Sequence, residues 1–321
     1  RKIIEEFIVP DVQAEAVAKV VQRNQYLENL LYTEVKTIGL KDNVPSLQAL
    51  IALMGMQNVR NFICSMQLYR TVTKKHPSLG KDGKFEAKAQ DYLKLALRTE
   101  EFANNNRLQA DNAFASGVVF DYLRLIGKES FNSTKPSDEY FDSIYKHGLK
   151  TALLGVTLAK GLKSFVFAKH VFGACMLLDV GKIAMEWLYA PGSPNAYQTF
   201  REDLGKKPIS RTLSHFVERK RFGMPHEYYS AQIAQSFFLF KPIERAILFH
   251  HDPYLLKNWN KDMHTFACLL SLASNMANNY RVPKDLEDPI INSWLSPEMA
   301  GFVIEKKTLA ETMKKLANHA F

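Results

Sequence analysis

The residues best suited to chemistry are imidazoles and one carboxylate in an apolar run. The chain holds nine histidines, and His147, His226 and the pair His250-His251 stand out, the pair being followed by Asp252. Asp179 lies in MLLDVGKIAM, on a stretch that reads as an otherwise apolar helix. A carboxylate buried there alone costs several kcal/mol, so it must pair, cap or hold a cation. Imidazole and carboxylate together are borderline-to-hard ligands that suit Fe, Mn, Zn or Mg. The competing reading has Asp179 salt-bridge Lys182 on its own helix while the histidines line a polar crevice. A basic cluster, Lys206, Lys207, Arg211, Arg219, Lys220 and Arg221, is either an anion-binding face or a solvated surface.

The elements that must position these groups are helical. Ala14, Val17, Ala18 and Val21 recur at helical spacing, as do Leu47, Leu50, Ile51 and Met54, with Ser46 as the N-cap of the second run. Gly55 interrupts it. Alternating β-branched runs are missing, so the expected class is all-α. Loops are expected at 76–84, 128–139 and 190–195. Helices are expected over about 85–127, 139–161, 164–190, 226–240, 242–251, 262–280 and 305–319, and 201–225 reads as charges mixed with short apolar pieces. The expected organisation is an N-terminal helical part at 1–75, a helical core at 76–280 and a C-terminal extension at 281–321.

Composition bounds the function. With 321 residues, 46% of them hydrophobic, the chain can bury a full core, which excludes global disorder. The net charge of +9 permits acidic partners or nucleotides and singles out neither. Cys64, Cys175 and Cys268 sit in separate apolar runs without CxxC spacing, which points to buried thiols in a reducing, cytoplasmic setting. No apolar run approaches ~18–20 residues, so no membrane span is expected. The opening RKIIEEFIVP lacks Met and does not read as a secretory signal, so the numbering is expected to begin inside a longer chain. Walker, GxGxxG and GxSxG motifs are absent.

Several motifs resemble one family. Gly173-Ala174-Cys175-Met176-Leu177-Leu178-Asp179-Val180-Gly181-Lys182 resembles the HD-superfamily helix that ends Leu-Leu-His-Asp-Ile-Gly-Lys. The run from His226 to Ala234 is similar to its His-x-x-x-Gly-Ala-x-Leu-Ala helix. Phe240 to Ile247 and His250-His251 resemble its Leu-Pro-x-x-Ile-x-x-Ala-Ile-x-x-His-His segment. Upstream, Val44 to Phe62 resembles the Ile-x-Ser-Ile-x-x-Ala-Ile-x-x-Leu-Gly block of the HDOD family, the HD-related output domain of bacterial signalling proteins. Ala14 to Leu31 fits the preceding helix, with Asn24-Gln25 in place of Asp-Pro. The resemblance spans about residues 11–280 and implies an HD-like multi-helix bundle with an N-terminal helical subdomain.

The departures decide what the resemblance implies. Leu178 replaces the central ligand histidine, and Ser274-Asn275 stands where the late ligand Asp falls. The Gly-Tyr-Pro signature of cyclic dinucleotide phosphodiesterases is absent after Pro253. The first histidine is His147, or is missing if 92–103 takes that register. His170 is too far along its helix from Asp179 to substitute, whereas His215, in a loop-rich segment, can. His147, Asp179, His226, His250, His251 and Asp252 then form a degenerate site or ligand pocket, with no metal or cofactor expected. The implied function is a non-enzymatic signalling module acting on a protein partner or a nucleotide, with nucleic acid disfavoured. A metal-dependent phosphohydrolase or cyclic dinucleotide phosphodiesterase is the alternative.

Overall fold

A computed structural model describes residues 14–23, 25, 28–29, 31–32, 46–56, 58–64, 93–108, 112–130, 138–162, 165–189, 196–205, 211–237, 241–279, 281–294 and 304–316. Every regular element among them is helical. The chain divides into two units, residues 1–97 and 98–321.

In the first unit, α1 (Ala14–Gln22) packs on α2 (Leu47–Met54). Val17, Ala18 and Val21 from α1 meet Leu47, Leu50 and Ile51 from α2, and Val59 and Ile63 complete the core. The N-cap read from sequence is present: the Ser46 hydroxyl accepts the Ala49 N–H at 3.1 Å. Gly55 ends the helix with φ +79°, a conformation that favours glycine.

The second unit begins within α3 (Lys94–Asn105) and continues with α4 (Ala113–Ser130) and α5 (Asp138–Ala159). The single long helix expected over 85–127 is two helices. After Asn105 the chain turns, Arg107 takes φ +51°, and the Leu108 N–H donates to the Ala103 carbonyl at 2.9 Å. This six-residue closure ends a helix by satisfying a terminal carbonyl. The expected 164–190 helix is likewise divided, into a 3₁₀ turn at Ala168–His170, α6 (Val171–Leu177) and α7 (Val180–Tyr189). Then come α8 (Ala196–Gly205), α9 (Arg211–Phe222), α10 (His226–Ser236), α11 (Lys241–Leu248), a 3₁₀ turn at Pro253–Leu256, α12 (Lys261–Asn278), α13 (Pro289–Trp294) and α14 (Lys306–Leu316). Residues 201–225, read as short mixed pieces, therefore hold most of two helices. α5 packs against α6, α12, α7 and α14, and α10 is held between α7 and α11. The three cysteines are free and buried, and burial pushes the Cys64 and Cys268 thiols up to about 12.

Two close helix contacts fix the centre of this unit. A Cβ at Gly148 would lie 2.8 Å from the Met176 carbonyl oxygen, so α5 meets α6 backbone to backbone beside His147. A Cβ at Gly181 would lie 2.0 Å from the His226 carbonyl oxygen, so α7 meets the first turn of α10 in the same way. Glycine at these two positions lets His147 and His226 approach Asp179.

Candidate functional site

Asp179 is not inside a helix, as the sequence suggested, but in the two-residue joint between α6 and α7. The joint shows no sequence breaker because Leu178 keeps helical angles, φ −52° and ψ −47°. Ser230 on α10 fixes it. Its hydroxyl donates to the Leu178 carbonyl at 2.7 Å and accepts the Gly181 N–H at 2.8 Å. The Leu178 side chain is in the core, 1% exposed.

The joint presents Asp179 to three cationic or imidazole groups. Lys182 Nζ lies 2.7 Å from Oδ2, His147 Nε2 lies 3.5 Å from Oδ2, and His226 Nε2 lies 3.3 Å from Oδ1. Burial alone would raise this carboxyl. The Lys182 ammonium, with His226 and His147, holds it well below its usual range. Burial in turn lowers Lys182, partly offset by Asp179.

His226 links Asp179 to a second carboxylate. Its Nδ1–H donates to Glu218 Oε2 at 2.7 Å, and its backbone N–H donates to the same oxygen at 2.8 Å. Glu218 is fully buried on the inner face of α9. It also accepts the Tyr197 hydroxyl and faces Arg201 Nη1 at 3.7 Å, both one helical turn apart on α8. Burial works against the Glu218 carboxylate, but His226 and Arg201 hold it below its usual range. Burial also works against a charged His226, yet Glu218 and Asp179 raise it to about 9, so it is an imidazolium at neutral pH.

Around this pair stand the other histidines. His251 Nε2 is 3.3 Å from His226 Nε2, and the His250 and His251 ring centroids are 3.9 Å apart. The His250 Nδ1–H donates to the Ile247 carbonyl at 2.7 Å, which leaves the lone pair on Nε2, a buried atom that accepts no hydrogen bond. Burial and the His226 charge lower His250 to about 4, and burial, His250 and His226 push His251 well below its ordinary value, so both are neutral. His215 lies on α9, not in a loop. Its Nδ1 contacts the Glu227 carboxylate and its Nε2 is 3.6 Å from Asp252. Glu227 and Asp252 outweigh burial and raise His215.

The structure thus gathers His147, Asp179, His226, His250, His251 and Asp252 into one cluster, together with His215. His170 is elsewhere, its Nδ1 3.0 Å from the Asn112 amide nitrogen. Asn275 is committed to the fold: its side-chain amide donates to the Trp294 carbonyl at 2.8 Å. Of the basic cluster, Arg219, Lys220 and Arg221 are exposed in the last turn of α9, Arg221 with its guanidinium over the Phe200 and Phe222 rings. Lys206, Lys207 and the side chain of Arg211 lie outside the described residues. Sequence reading missed Glu218, Glu227, Arg201 and Tyr197. Glu218 was hidden among the surface charges of ERKR, and Glu227 was legible only as the neighbour of His226.

Two groups here bring donor atoms within 4.8 Å of one another: His226, His250 and His251, and Glu218, His226 and Glu227. They fit the dication centre of a hydrolase poorly. Leu178 offers no donor where the HD helix has its ligand histidine, and the Asn275 amide is tied to the Trp294 carbonyl.

The HDOD domain family model matches residues 122–253, so the chain carries an HDOD domain over that span, which includes His147 and every other member of the cluster. Among solved structures, a candidate phosphohydrolase from Shewanella amazonensis SB2B shares the fold at 15% identity with a TM-score of 0.50, over 98% of this chain and 87% of that one. An HDOD domain protein of unknown function from Geobacter sulfurreducens is 14% identical with a TM-score of 0.47, over 98% of this chain and 86% of that one. No curated protein matches. Among the described residues no helix is long and apolar enough to cross a membrane.

Proposed function

We propose that this chain, with its HDOD domain, is a non-enzymatic regulatory module of bacterial signalling that works by binding a protein or small ligand. The observation that carries the reading is Leu178, whose side chain lies in the core, 1% exposed, where the HD helix has its ligand histidine. The carboxylate that would anchor a metal in an HD hydrolase is held at 2.7 Å by Lys182 and at 3.3 Å by a protonated His226. Leu178 takes the central ligand position, and Asn275 holds α13 through the Trp294 carbonyl. Loss of a ligand imidazole and a charged ligand removes most metal affinity and, with it, the metal-bound hydroxide that hydrolysis needs. A metal-dependent phosphohydrolase is favoured by one observation, the convergence of three imidazoles at His226, His250 and His251.

The test is elemental mass spectrometry of chelator-free protein, with hydrolysis of bis-p-nitrophenyl phosphate and a cyclic dinucleotide in added Mn²⁺ or Mg²⁺. The module reading expects substoichiometric metal and no turnover. Stoichiometric metal together with turnover that Asp179→Asn abolishes would establish the hydrolase instead.

A further inference from the structure

Three imidazoles of the crevice are set as donors to one ion. His226 opens α10, and His250 and His251 follow α11. Each offers a ring nitrogen within 4.8 Å of the other two. His251 Nε2 lies 3.3 Å from His226 Nε2, which matches the separation of about 3.3 Å between two nitrogens bound at ~2.0–2.1 Å to a tetrahedral ion. A hydrogen bond between these two rings accounts for that contact, but it does nothing for His250. The His250 Nε2 is buried and meets no donor, in a residue that is 1% exposed. A buried lone pair without a donor is costly, and a bound cation would satisfy it.

The outer contacts orient two of these rings. A metal-binding imidazole typically gives its other ring N–H to a carboxylate or a backbone carbonyl. Glu218 Oε2 accepts the His226 Nδ1–H at 2.7 Å, and the Ile247 carbonyl accepts the His250 Nδ1–H at 2.7 Å. Nε2 is thereby left as the donor atom on each ring. The set is nitrogen alone, which suits borderline Zn²⁺ and not the hard, oxygen-seeking Mg²⁺ or Mn²⁺. It is also a set for one ion, because the core side chain of Leu178 offers nothing to a second. His226 Nε2 already faces Asp179 Oδ1 at 3.3 Å, and the ion must take the place of that contact. The proton held there leaves to solvent as the ion enters. Zn²⁺ is thus an exchangeable ligand of this crevice rather than a resident one.

We infer that His226, His250 and His251 together bind one Zn²⁺ ion reversibly, and that this ion is the small ligand of the regulatory module. The inference rests on the regulatory reading. It departs from a hydrolytic HD centre in the number of ions, the type of donor and the role of the metal. Bound Zn²⁺ fastens the first turn of α10 to the segment that follows α11.

The experiment uses the full chain without an affinity tag, stripped with a chelator that is then removed. Zn²⁺ is titrated by calorimetry, Co²⁺ is followed by visible absorption, and X-ray absorption at the zinc edge counts the imidazoles. One Zn²⁺ per chain is expected, with the strong visible absorption of four-coordinate Co²⁺, three imidazoles at the ion and no displacement by excess Mg²⁺. His251→Gln is expected to weaken Zn²⁺ binding at least ~10-fold, and His170→Gln to leave it unchanged. His251 is only half-buried, so metal-free unfolding curves of its variant should match the wild type. The imidazole count needs no variant. No binding, two ions per chain, fewer than three imidazoles or wild-type affinity in His251→Gln would overturn the inference. Phosphodiester turnover by the zinc-loaded chain would instead overturn the regulatory reading and leave the coordination standing.

Discussion

His226 makes folding depend on pH in a direction that can be worked out from its neighbours. Its Nδ1 proton goes to Glu218 at 2.7 Å and its Nε2 faces Asp179 at 3.3 Å, so both carboxylates favour the imidazolium. The group rises from 6.5 in the unfolded chain to about 9 in the folded one. A raised value means that the folded state holds the proton longer. Its stabilisation is complete below pH 6.5, declines as pH climbs, and is lost above about 9. At ~1.36 kcal/mol per pH unit, the full contribution is about 3 kcal/mol, of which about 2 kcal/mol is lost between pH 7 and 8.5. His215, also raised, adds in the same direction. His250 and His251 are lowered, so their contributions are lost only as pH falls below 6.5. The assay is urea unfolding at three pH values from 7 to 8.5, above the range where His250 and His251 change the slope most. The wild type should lose about 10-fold in its unfolding equilibrium across that window, and His226→Gln should lose much less. Equal slopes for the two proteins would refute the argument. So would an NMR titration placing His226 below 7, which needs no variant.

Two further outcomes follow from packing. Gly181→Ala puts a methyl carbon 2.0 Å from the His226 carbonyl oxygen and 2.6 Å from the Ser230 nitrogen, both backbone atoms that cannot swing aside. α7 and α10 must separate, and urea unfolding should show a loss of about 3 kcal/mol; a loss under ~1 kcal/mol would mean that the helices do not approach this closely. Asn275→Asp replaces the amide donor to the Trp294 carbonyl with a buried carboxylate. It should cost about 2–4 kcal/mol at pH 7 and recover on acidification, when the carboxyl regains a proton to donate, whereas a cost independent of pH would contradict this.

The legibility of the fold and the site in the sequence depended on which physical signal dominated locally. Ser46 and Gly55 are residue types with one common use at helix ends, and each is found in that use. His226 and His250-His251 lie near apolar runs whose spacing places them on inner faces. The break after Asn105 was masked because apolar residues keep helical spacing on both sides, and Arg107 is not a type that announces a positive φ. The joint at Asp179 was invisible for the opposite reason, since Leu178 keeps helical angles there. Glu218 was the largest omission. An apolar pattern cannot mark a carboxylate as buried, and only the fold brings Tyr197, Arg201 and His226 around it.

Three buried carboxylates of the cluster are each matched by cationic or imidazole groups of the same chain. Asp179 is matched by Lys182 and His226, Glu218 by His226 and Arg201, and Glu227 by His215. Removing one partner of such a buried pair typically costs ~3–5 kcal/mol because the other is left buried and uncompensated. Folding stability alone therefore maintains the network. The His250 Nε2 lone pair is free on a neutral imidazole, the form that ligates zinc or iron, so the metal measurement is the decisive one for this crevice.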